Sequence, residues 1–232
     1  MNLLIEYYKS QNDQRDSEYL FCIKQNLVNN LIKKIFVFIS DDSPFELQDN
    51  KIEIIKKENR PTFGDLFDFC NERLPNELCI IANTDIFFDE SLNQVIDFNF
   101  ENIFIALTRW DMIYYQDRWN LRFYDFPWRN PNDEITTGHF SQDAWIFRTP
   151  FKNDPRLNFL MGKPGCDNRI SQIVHENGYE VRNPSKTIMI KHLHQSNFRT
   201  YTNNDTVTGP YLLIKPTDDL NKISEIKTIP HF

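Results

Sequence analysis

Cysteine is scarce in this sequence of 232 residues, and the four cysteines form no recognisable site. Cys22, Cys70, Cys79 and Cys166 show neither C-x-x-C pairing nor the spacing of a zinc site. This argues against a disulfide scaffold and against a structural zinc domain. Cys22 and Cys70 fall among apolar residues, which predicts buried thiols in a reducing compartment.

An excess of positive charge is also missing. Lys and Arg number 26 against 33 Asp and Glu, which gives a net charge of −7 and a sequence pI near 5.3. Proteins that bind duplex nucleic acid usually present a basic face. The charge balance therefore predicts no nucleic-acid partner, although it allows a local basic pocket for a small phosphate ligand.

Long apolar runs and flexible linkers are absent as well. No apolar stretch approaches the roughly 20 residues of a membrane-spanning helix. The opening residues, MNLLIEYYKS, have too short an apolar run for a signal peptide and lack its cleavage pattern. We therefore expect a cytoplasmic protein without a transmembrane segment, folded as a single domain because no Pro/Gly/Ser-rich linker divides it.

The apolar residues that are present alternate between strand and helix periods. Predicted strands cover 2–8, 33–40, 52–56, 78–82 and 103–107, and predicted helices cover 17–31 and the residues after Thr62. Thr62 and Asp65 fit a capping box at the start of the second helix. This order predicts an α/β fold with a mostly parallel central sheet and helices on both faces.

The alternation is expected to fail after residue 108. Residues 109–134 place eight aromatics and four arginines in a sequence that looks irregular. A strand near Trp145, a helix that Asp167 opens and a strand over 187–196 then follow. Residues 201–232 are predicted to form a peripheral tail, strapped over the surface by Tyr211, Leu212, Leu213 and Ile214.

The stretch IIANTDIFFDESL, residues 80–92, places Asp85 at the carboxyl end of the fourth predicted strand. Ligands of open α/β sheets bind outside the carboxyl ends of the strands. A polar triplet after a strand is often only a turn with side-chain-to-backbone hydrogen bonds. Here three large apolar residues, 86–88, should anchor the segment in the core and fix the Asp85 carboxylate, and Asp89 should cap a following helix.

Four segments, in order, resemble the signature of nucleotide-sugar-dependent glycosyltransferases with the GT-A fold. They are a variant of the D-x-D motif (Asn83-Thr84-Asp85), a glycine-containing loop before a strand-like segment (Thr137-Gly138-His139-Phe140 before 144–147), an acidic helix start (Gly165-Cys166-Asp167-Asn168) and a final histidine pair (His192-Leu193-His194). The resemblance covers about residues 2–200. It implies a nucleotide-binding half over 1–108 and an acceptor-binding half over 109–200.

The resemblance implies a divalent metal, Mn²⁺ or Mg²⁺, that neutralises the diphosphate leaving group. Asp85 would be its carboxylate ligand, and His192 or His194 a further ligand, since imidazole suits Mn²⁺ better than Mg²⁺. Asn83 stands where the family often has Asp. It offers a neutral amide, which we expect to contact the donor.

Two carboxylates are candidates for the general base, and the sequence leaves the choice open. Asp167 stands where a helix N-cap belongs, a structural role worth about 1 kcal/mol. At that place we expect its pKa to be lowered, so that it is ionised. Asp143 precedes a predicted buried Trp145 and could be the base, a sugar ligand or a hydrogen-bonded buried carboxylate.

The remaining candidates concern the two substrates. Arg60 precedes a helix N-terminus, a natural anion site, and Asp41 follows the second strand, where the resembling family binds the nucleobase. The resemblance points to a UDP-sugar as the donor. Trp110, Asp111 and Trp128 are the predicted contacts to a glycan acceptor, because aromatic faces pack against sugar rings.

The predicted function is therefore metal-dependent transfer of a sugar from a nucleotide diphosphate donor to a glycan hydroxyl, with inversion or retention left open. One alternative is a sugar-nucleotide nucleotidyltransferase, although residues 7–12 lack the glycines of its phosphate loop. Another is a carbohydrate-binding or degenerate transferase without turnover, which Asn83 supports. A phosphatase fits poorly, because Phe87 stands where its second motif threonine is needed.

Overall fold

The computed structural model describes residues 1–124 and 141–230, together with the backbone of 127–128 and 136–137. The α-helices are α1 (Asp13–Val28), α2 (Phe63–Arg73) and α3 (Cys166–Glu176). The strands, in chain order, are β1 (Asn2–Glu6), β2 (Lys34–Ile39), β3 (Ile52–Lys56), β4 (Leu78–Ala82), β5 (Ile86–Phe88), β6 (Ile103–Leu107), β7 (Arg109–Tyr115), β8 (Arg118–Phe123), β9 (Pro127–Trp128), β10 (Thr136–Thr137), β11 (Ala144–Arg148), β12 (Glu180–Arg182), β13 (Ile190–His192), β14 (Tyr211–Ile214) and β15 (Ile226–Ile229).

A seven-stranded sheet of order β12-β6-β11-β4-β1-β2-β3 forms the centre of the fold. β11 runs antiparallel to β4 and β6, while every other neighbouring pair is parallel. The observed bounds of β3, β4 and β6 agree to the residue with the predicted strands. The predicted mostly parallel α/β sheet is therefore confirmed.

Helices cover both faces of this sheet. Successive side chains of a strand point to opposite faces, and Leu3 and Leu4 of β1 accordingly enter different cores. Leu3 belongs to the core that contains Ile23 of α1. Leu4 belongs to the core that contains Phe67 of α2 and Ile170 of α3. The two-faced arrangement is as predicted.

The helix starts show where local signals succeed. At α2 the capping box is confirmed, since Thr62 Oγ1 accepts from Asp65 N at 3.2 Å and Asp65 Oδ2 accepts from Thr62 N at 2.8 Å. α1 begins four residues before the predicted 17, with the Asn12 side chain accepting from Arg15 N at 2.9 Å. Its first turns are polar, so the apolar period could not reveal them.

A second sheet has the order β5-β13-β7-β8, and its strands β7 and β8 lie where irregular sequence was expected. The expectation for 109–123 is wrong, because β7 and β8 pair as an antiparallel hairpin. Gln116 and Asp117 form its two-residue turn, with φ of 52° and 56°. Such turns usually carry Gly or Asn, so the hairpin has no recognisable signal in the sequence. β13, predicted to extend to 196, ends at His192 and belongs to this sheet.

The chain after residue 200 contributes to the core. β14 and β15 form an antiparallel pair. All four residues of β14 are buried, and Leu212 and Ile214 pack in the same core as α3. The four residues expected to strap the tail over the surface are therefore the residues of β14. They are buried, two of them in the core, so the expected surface position is wrong for this strand.

Other expectations concern the cysteines and the membrane. Cys22, Cys70, Cys79 and Cys166 are all buried free thiols, as predicted for Cys22 and Cys70. Within the described ranges, no helix combines the length and the hydropathy that crossing a membrane requires.

Candidate active site

A cleft of about 820 Å³ opens at the carboxyl ends of β1 and β4 and reaches the second sheet. The ends of these strands are where an open α/β sheet binds ligands. Most of the predicted site residues line it, together with three arginines that were not predicted, Arg15, Arg109 and Arg199. The charged and amide side chains of the cleft include Arg15, Arg60, Asn83, Asp85, Arg109, Asp143, Asp167, His192 and His194.

Asp85 is fixed in the cleft by the chain on both sides of it. β4 ends at Ala82, and the next strand, β5, is fully buried, as the apolar residues predicted. The Thr84 hydroxyl donates to the Glu6 carbonyl, and Leu193 N donates to the Asp85 carbonyl at 3.1 Å. Asp85 is therefore a placed carboxylate and not part of a mobile turn.

Asp85, His192 and His194 form a cluster that could hold a metal ion. One ligand atom from each lies within 4.8 Å of the others. Asp85 Oδ2 is 3.1 Å from His192 Nε2, and Asp111 Oδ1 is 2.7 Å from His192 Nδ1. The two imidazole rings are 5.6 Å apart.

The ionisation of these groups follows from their neighbours. Burial alone would raise the pKa of Asp85, but the charges of His192 and Arg15 hold that pKa far below its ordinary range. Burial tends to lower the pKa of His192, and the carboxylates of Asp85 and Asp111 outweigh it, so the pKa is raised. Burial and the nearby Arg15 charge lower the pKa of His194 to about 4, so this imidazole is neutral at pH 7.

The chemistry of this donor set fits a divalent transition ion such as Mn²⁺, since it combines a carboxylate oxygen with imidazole nitrogens. His194 Nε2 donates to the Phe198 carbonyl at 3.1 Å, which leaves Nδ1 as an acceptor. His192 contacts Asp111 through Nδ1, the arrangement in which a carboxylate orients a metal-binding imidazole. Asp111 therefore supports the cluster.

Arg15 pairs with Asp85 of the cluster, and the sequence did not reveal it. Its Nη2 forms an ion pair with Asp85 Oδ2, and its Nη1 lies 3.0 Å from Glu18 Oε2. Arg15 stands in the polar run QNDQRDSEY, where no motif or period singles it out. Only the packing of α1 against the end of β4 brings it to Asp85.

Arg109 was likewise not singled out among the four arginines of its segment. Its Nε lies 3.0 Å from Asp111 Oδ1, and its Nη1 lies 3.1 Å from Asp143 Oδ2. The guanidinium stacks 4.0 Å from the centroid of the Tyr124 ring. Arg109 therefore links Asp111, which contacts His192, to Asp143.

Asp143 is held by several donors at once. Besides Arg109, its carboxylate accepts from the Ser141 hydroxyl at 2.7 Å and from the Asn83 amide at 2.9 Å. Asp143 is buried, and the following Trp145 is fully buried, as predicted. The hydrogen bond from Asn83 links the D-x-D-like triplet to Asp143.

Asp167 differs from the expectation in two ways. Gly165, with φ of 75°, is the N-cap of α3, and Asp167 is the second helical residue. Its carboxylate accepts from Asn168 N at 3.0 Å and from Gln142 N at 3.2 Å. Burial and the charge of Asp143 outweigh these donors and raise the pKa of Asp167 to about 7, so the predicted lowering is wrong.

Arg60 and Asp41 are the two donor contacts predicted outside the Asn83-Thr84-Asp85 triplet, and only Arg60 lines the cleft. Arg60 lines the cleft and forms a two-pronged ion pair with Glu6, with distances of 2.6 and 2.8 Å. Asp41 is exposed, accepts from Ser43 N at 3.0 Å and is not among the residues that line the cleft.

The predicted acceptor contacts are not brought together in the described structure. Trp110 donates from its indole N–H to the Ser185 carbonyl at 2.8 Å and packs on Phe123, outside the cleft lining. Asp111 lies behind His192. The side chain of Trp128 lies outside the described residues, as do Gly138, His139 and Phe140 of the predicted glycine loop.

Comparison with known proteins gives a likeness of fold. No family model matches the chain, and no curated protein matches it in sequence. A structure of GalNAc-T7 with UDP, GalNAc and Mn²⁺ matches with a TM-score of 0.52 at 9% identity, over 85% of this chain and 44% of that chain. The chain thus spans less than half the length of that protein.

Two further structures match with lower scores. The 4-diphosphocytidyl-2C-methyl-D-erythritol synthase of Anaerococcus prevotii gives a TM-score of 0.44 at 13% identity, over 88% of this chain and 93% of that chain. HddC from Yersinia pseudotuberculosis gives 0.34 at 10% identity, over 63% and 76%. The likeness to GalNAc-T7 confirms the predicted fold class, and at these identities it establishes the fold alone.

Proposed function

We propose that the protein is a metal-dependent glycosyltransferase that moves a sugar from a nucleotide diphosphate donor, a UDP-sugar, to a hydroxyl of a glycan acceptor. One observation carries this proposal. A cluster with the donor set of a divalent-metal site and a carboxyl group with a pKa near 7 face the same cleft. Residues 1–108 would supply most of the donor side and 109–200 the acceptor side.

Asp85, His192 and His194 would hold the metal, Mn²⁺ or Mg²⁺. When bound, the ion would act as a Lewis acid and stabilise the negative charge of the leaving diphosphate. Asp111 keeps the His192 ring in place through the contact at Nδ1. Arg60, which lines the cleft and precedes the N-cap of α2, would contact an anionic part of the donor.

Asp167 is our choice for the general base, which takes the proton from the acceptor hydroxyl. A base works best when its pKa lies near the operating pH, and the pKa of Asp167 is about 7. The Asp143 carboxylate already forms an ion pair with Arg109 and accepts hydrogen bonds from Ser141 and Asn83. We therefore give Asp143 and Asn83 the role of orienting the donor sugar.

The acceptor contacts remain proposals. Tyr124 lines the cleft, and Trp128 follows it closely in the sequence. We therefore propose Trp128 as a contact to a sugar ring of the acceptor. Trp110 is hydrogen-bonded to Ser185, and we assign it to the support of the second sheet. Asp41 is exposed, and a contact with the nucleobase would require the donor to extend beyond the cleft.

Calorimetric titration of UDP, GDP and CDP in the presence of Mn²⁺, and then of EDTA, tests the donor site. We expect micromolar binding of UDP that EDTA abolishes and that Asp85→Asn removes. Asp97→Asn, an exposed change outside the cleft lining, is the matched control. Nucleotide binding of unchanged affinity in Asp85→Asn with Mn²⁺ present would contradict the metal assignment.

Product analysis separates the alternatives. Release of UDP from a UDP-sugar when an acceptor is added supports sugar transfer. Release of pyrophosphate from UTP and a sugar 1-phosphate would identify a nucleotidyltransferase instead. Binding of a glycan without either reaction would identify a binding protein.

A further inference from the structure

Arg15 contacts the same carboxylate oxygen that faces the candidate metal ligands. Its Nη2 pairs with Asp85 Oδ2, and that oxygen lies 3.1 Å from His192 Nε2. Arg15 is only 6% exposed, so its charge is largely removed from water. The chain thus places a permanent cation on the oxygen that a metal ion would use.

Arg15 is held firmly in this position. Its Nη1 lies 3.0 Å from Glu18 Oε2 and 3.3 Å from the carbonyl of Leu193, which separates the two candidate histidine ligands. Glu18 Oε1 in turn accepts from the backbone of Gln195 and Ser196, each at 2.8 Å. A metal ion would therefore meet a fixed guanidinium and not a mobile one.

The hydrogen bonds of Arg15 use two of its three side-chain nitrogens, Nη1 and Nη2. Among the described residues, no acceptor reaches Arg15 Nε, although the atom is buried. A buried donor without a partner is unfavourable for stability. What an arginine adds at this position is a positive charge beside Asp85.

We propose that Arg15 is an internal cation that competes with the divalent metal for Asp85 and so makes metal binding depend on a bound diphosphate. The inference rests on the proposed function. Like charges repel, and the repulsion is strong where water is excluded. The negative charges of a nucleoside diphosphate offset it, so the ion and the nucleotide bind together and the empty site takes up little metal.

Mn²⁺ binding, followed through the EPR signal of the aqueous ion with and without UDP, tests this proposal on the full chain. Without UDP, we expect Arg15→Gln to bind Mn²⁺ at least tenfold more tightly than the wild type, and UDP to enhance its binding less. Arg15→Lys keeps the charge and should stay within about threefold of the wild type. Arg73→Gln removes an exposed arginine that pairs with Glu53 outside the cleft, and it should leave Mn²⁺ binding without UDP unchanged.

The outcomes separate this proposal from the proposed function. If Arg15→Gln binds Mn²⁺ as weakly as the wild type or more weakly, while the wild type binds Mn²⁺ with UDP, competition by Arg15 is wrong and the metal site stands. If no variant binds Mn²⁺ even with UDP, the metal site itself is overturned. Thermal melting checks the fold, and Arg15→Met repeats the measurement if the Gln variant unfolds.

Discussion

Two carboxylates in the cleft have different partners, and under the proposed function this difference favours different roles for them. Asp143 faces the Arg109 guanidinium, whereas Asp167 accepts from two backbone N–H groups and lies in the field of Asp143. A carboxyl that is buried beside another carboxylate keeps its proton to a higher pH, and this is the situation of Asp167. The arrangement makes Asp167 the group that exchanges its proton near neutral pH.

Asp167→Asn should therefore reduce sugar transfer by roughly 10²–10⁴-fold, the usual loss for a general base. Nucleotide affinity should not change, because Asp167 lies outside the metal cluster. Since the base acts when deprotonated, the wild-type rate should rise with pH through a midpoint near 7. Initial rates between pH 5 and 9, with calorimetry for binding, check this. A comparable loss in Asp143→Asn alone would exchange the two roles.

The Asp167 carboxyl should also make the free energy of unfolding depend on pH. Its folded-state pKa of about 7 exceeds the ordinary 3.8, so the folded protein keeps a proton that the unfolded chain loses between about pH 4 and pH 7. The free energy of unfolding contributed by this group therefore falls as the pH rises through that window. Urea denaturation at several pH values should show this decline in the wild type and a weaker one in Asp167→Asn.

At the scale of an element, the start of α3 places Asp167 in the cleft and makes a close contact with Tyr211 of β14. Gly165 caps the helix with φ of 75°, a left-handed conformation that favours glycine. A Cβ at this position would lie 2.6 Å from the Tyr211 hydroxyl oxygen. That hydroxyl donates to the Val207 carbonyl at 2.6 Å, so the N-terminus of α3 is packed against β14.

Gly162 offers a matched control, because it has the same φ of 75° and a Cβ there would meet nothing within 4 Å. Each Ala substitution carries the left-handed penalty of about 1–2 kcal/mol. Gly165→Ala should cost a further ~1–3 kcal/mol, since Tyr211 must move. Denaturant unfolding of both variants measures the difference. Equal losses in the two variants would show that the contact with Tyr211 is unimportant.

At the scale of the whole molecule, residues far apart in the chain build one core. β14 contributes Leu212 and Ile214 to the core of α2 and α3, and Asn168 Nδ2 donates to the Leu212 carbonyl at 3.0 Å. Burial of apolar side chains is the main favourable term in folding. We infer that residues 1–200 do not form a complete folding unit.

A fragment ending at residue 200 should therefore lose cooperative thermal unfolding, as followed by circular dichroism. Leu212→Ala in the full chain should cost about 2–5 kcal/mol, the usual range for a buried leucine. Ile226→Ala on the partner strand is the control. Ile226 is 39% exposed, so the loss should be much smaller. A fragment 1–200 as stable as the full chain would restore the peripheral role of the remainder.

The sequence by itself determined the features that act over a few residues. The bounds of β3, β4 and β6, the capping box at Thr62 and the burial around Asp85 follow from apolar period and local hydrogen bonding. The tertiary structure alone decided the pairing of Arg15 with Asp85, 70 residues apart. It also decided the raised pKa of Asp167, because desolvation and long-range charge exist only after packing.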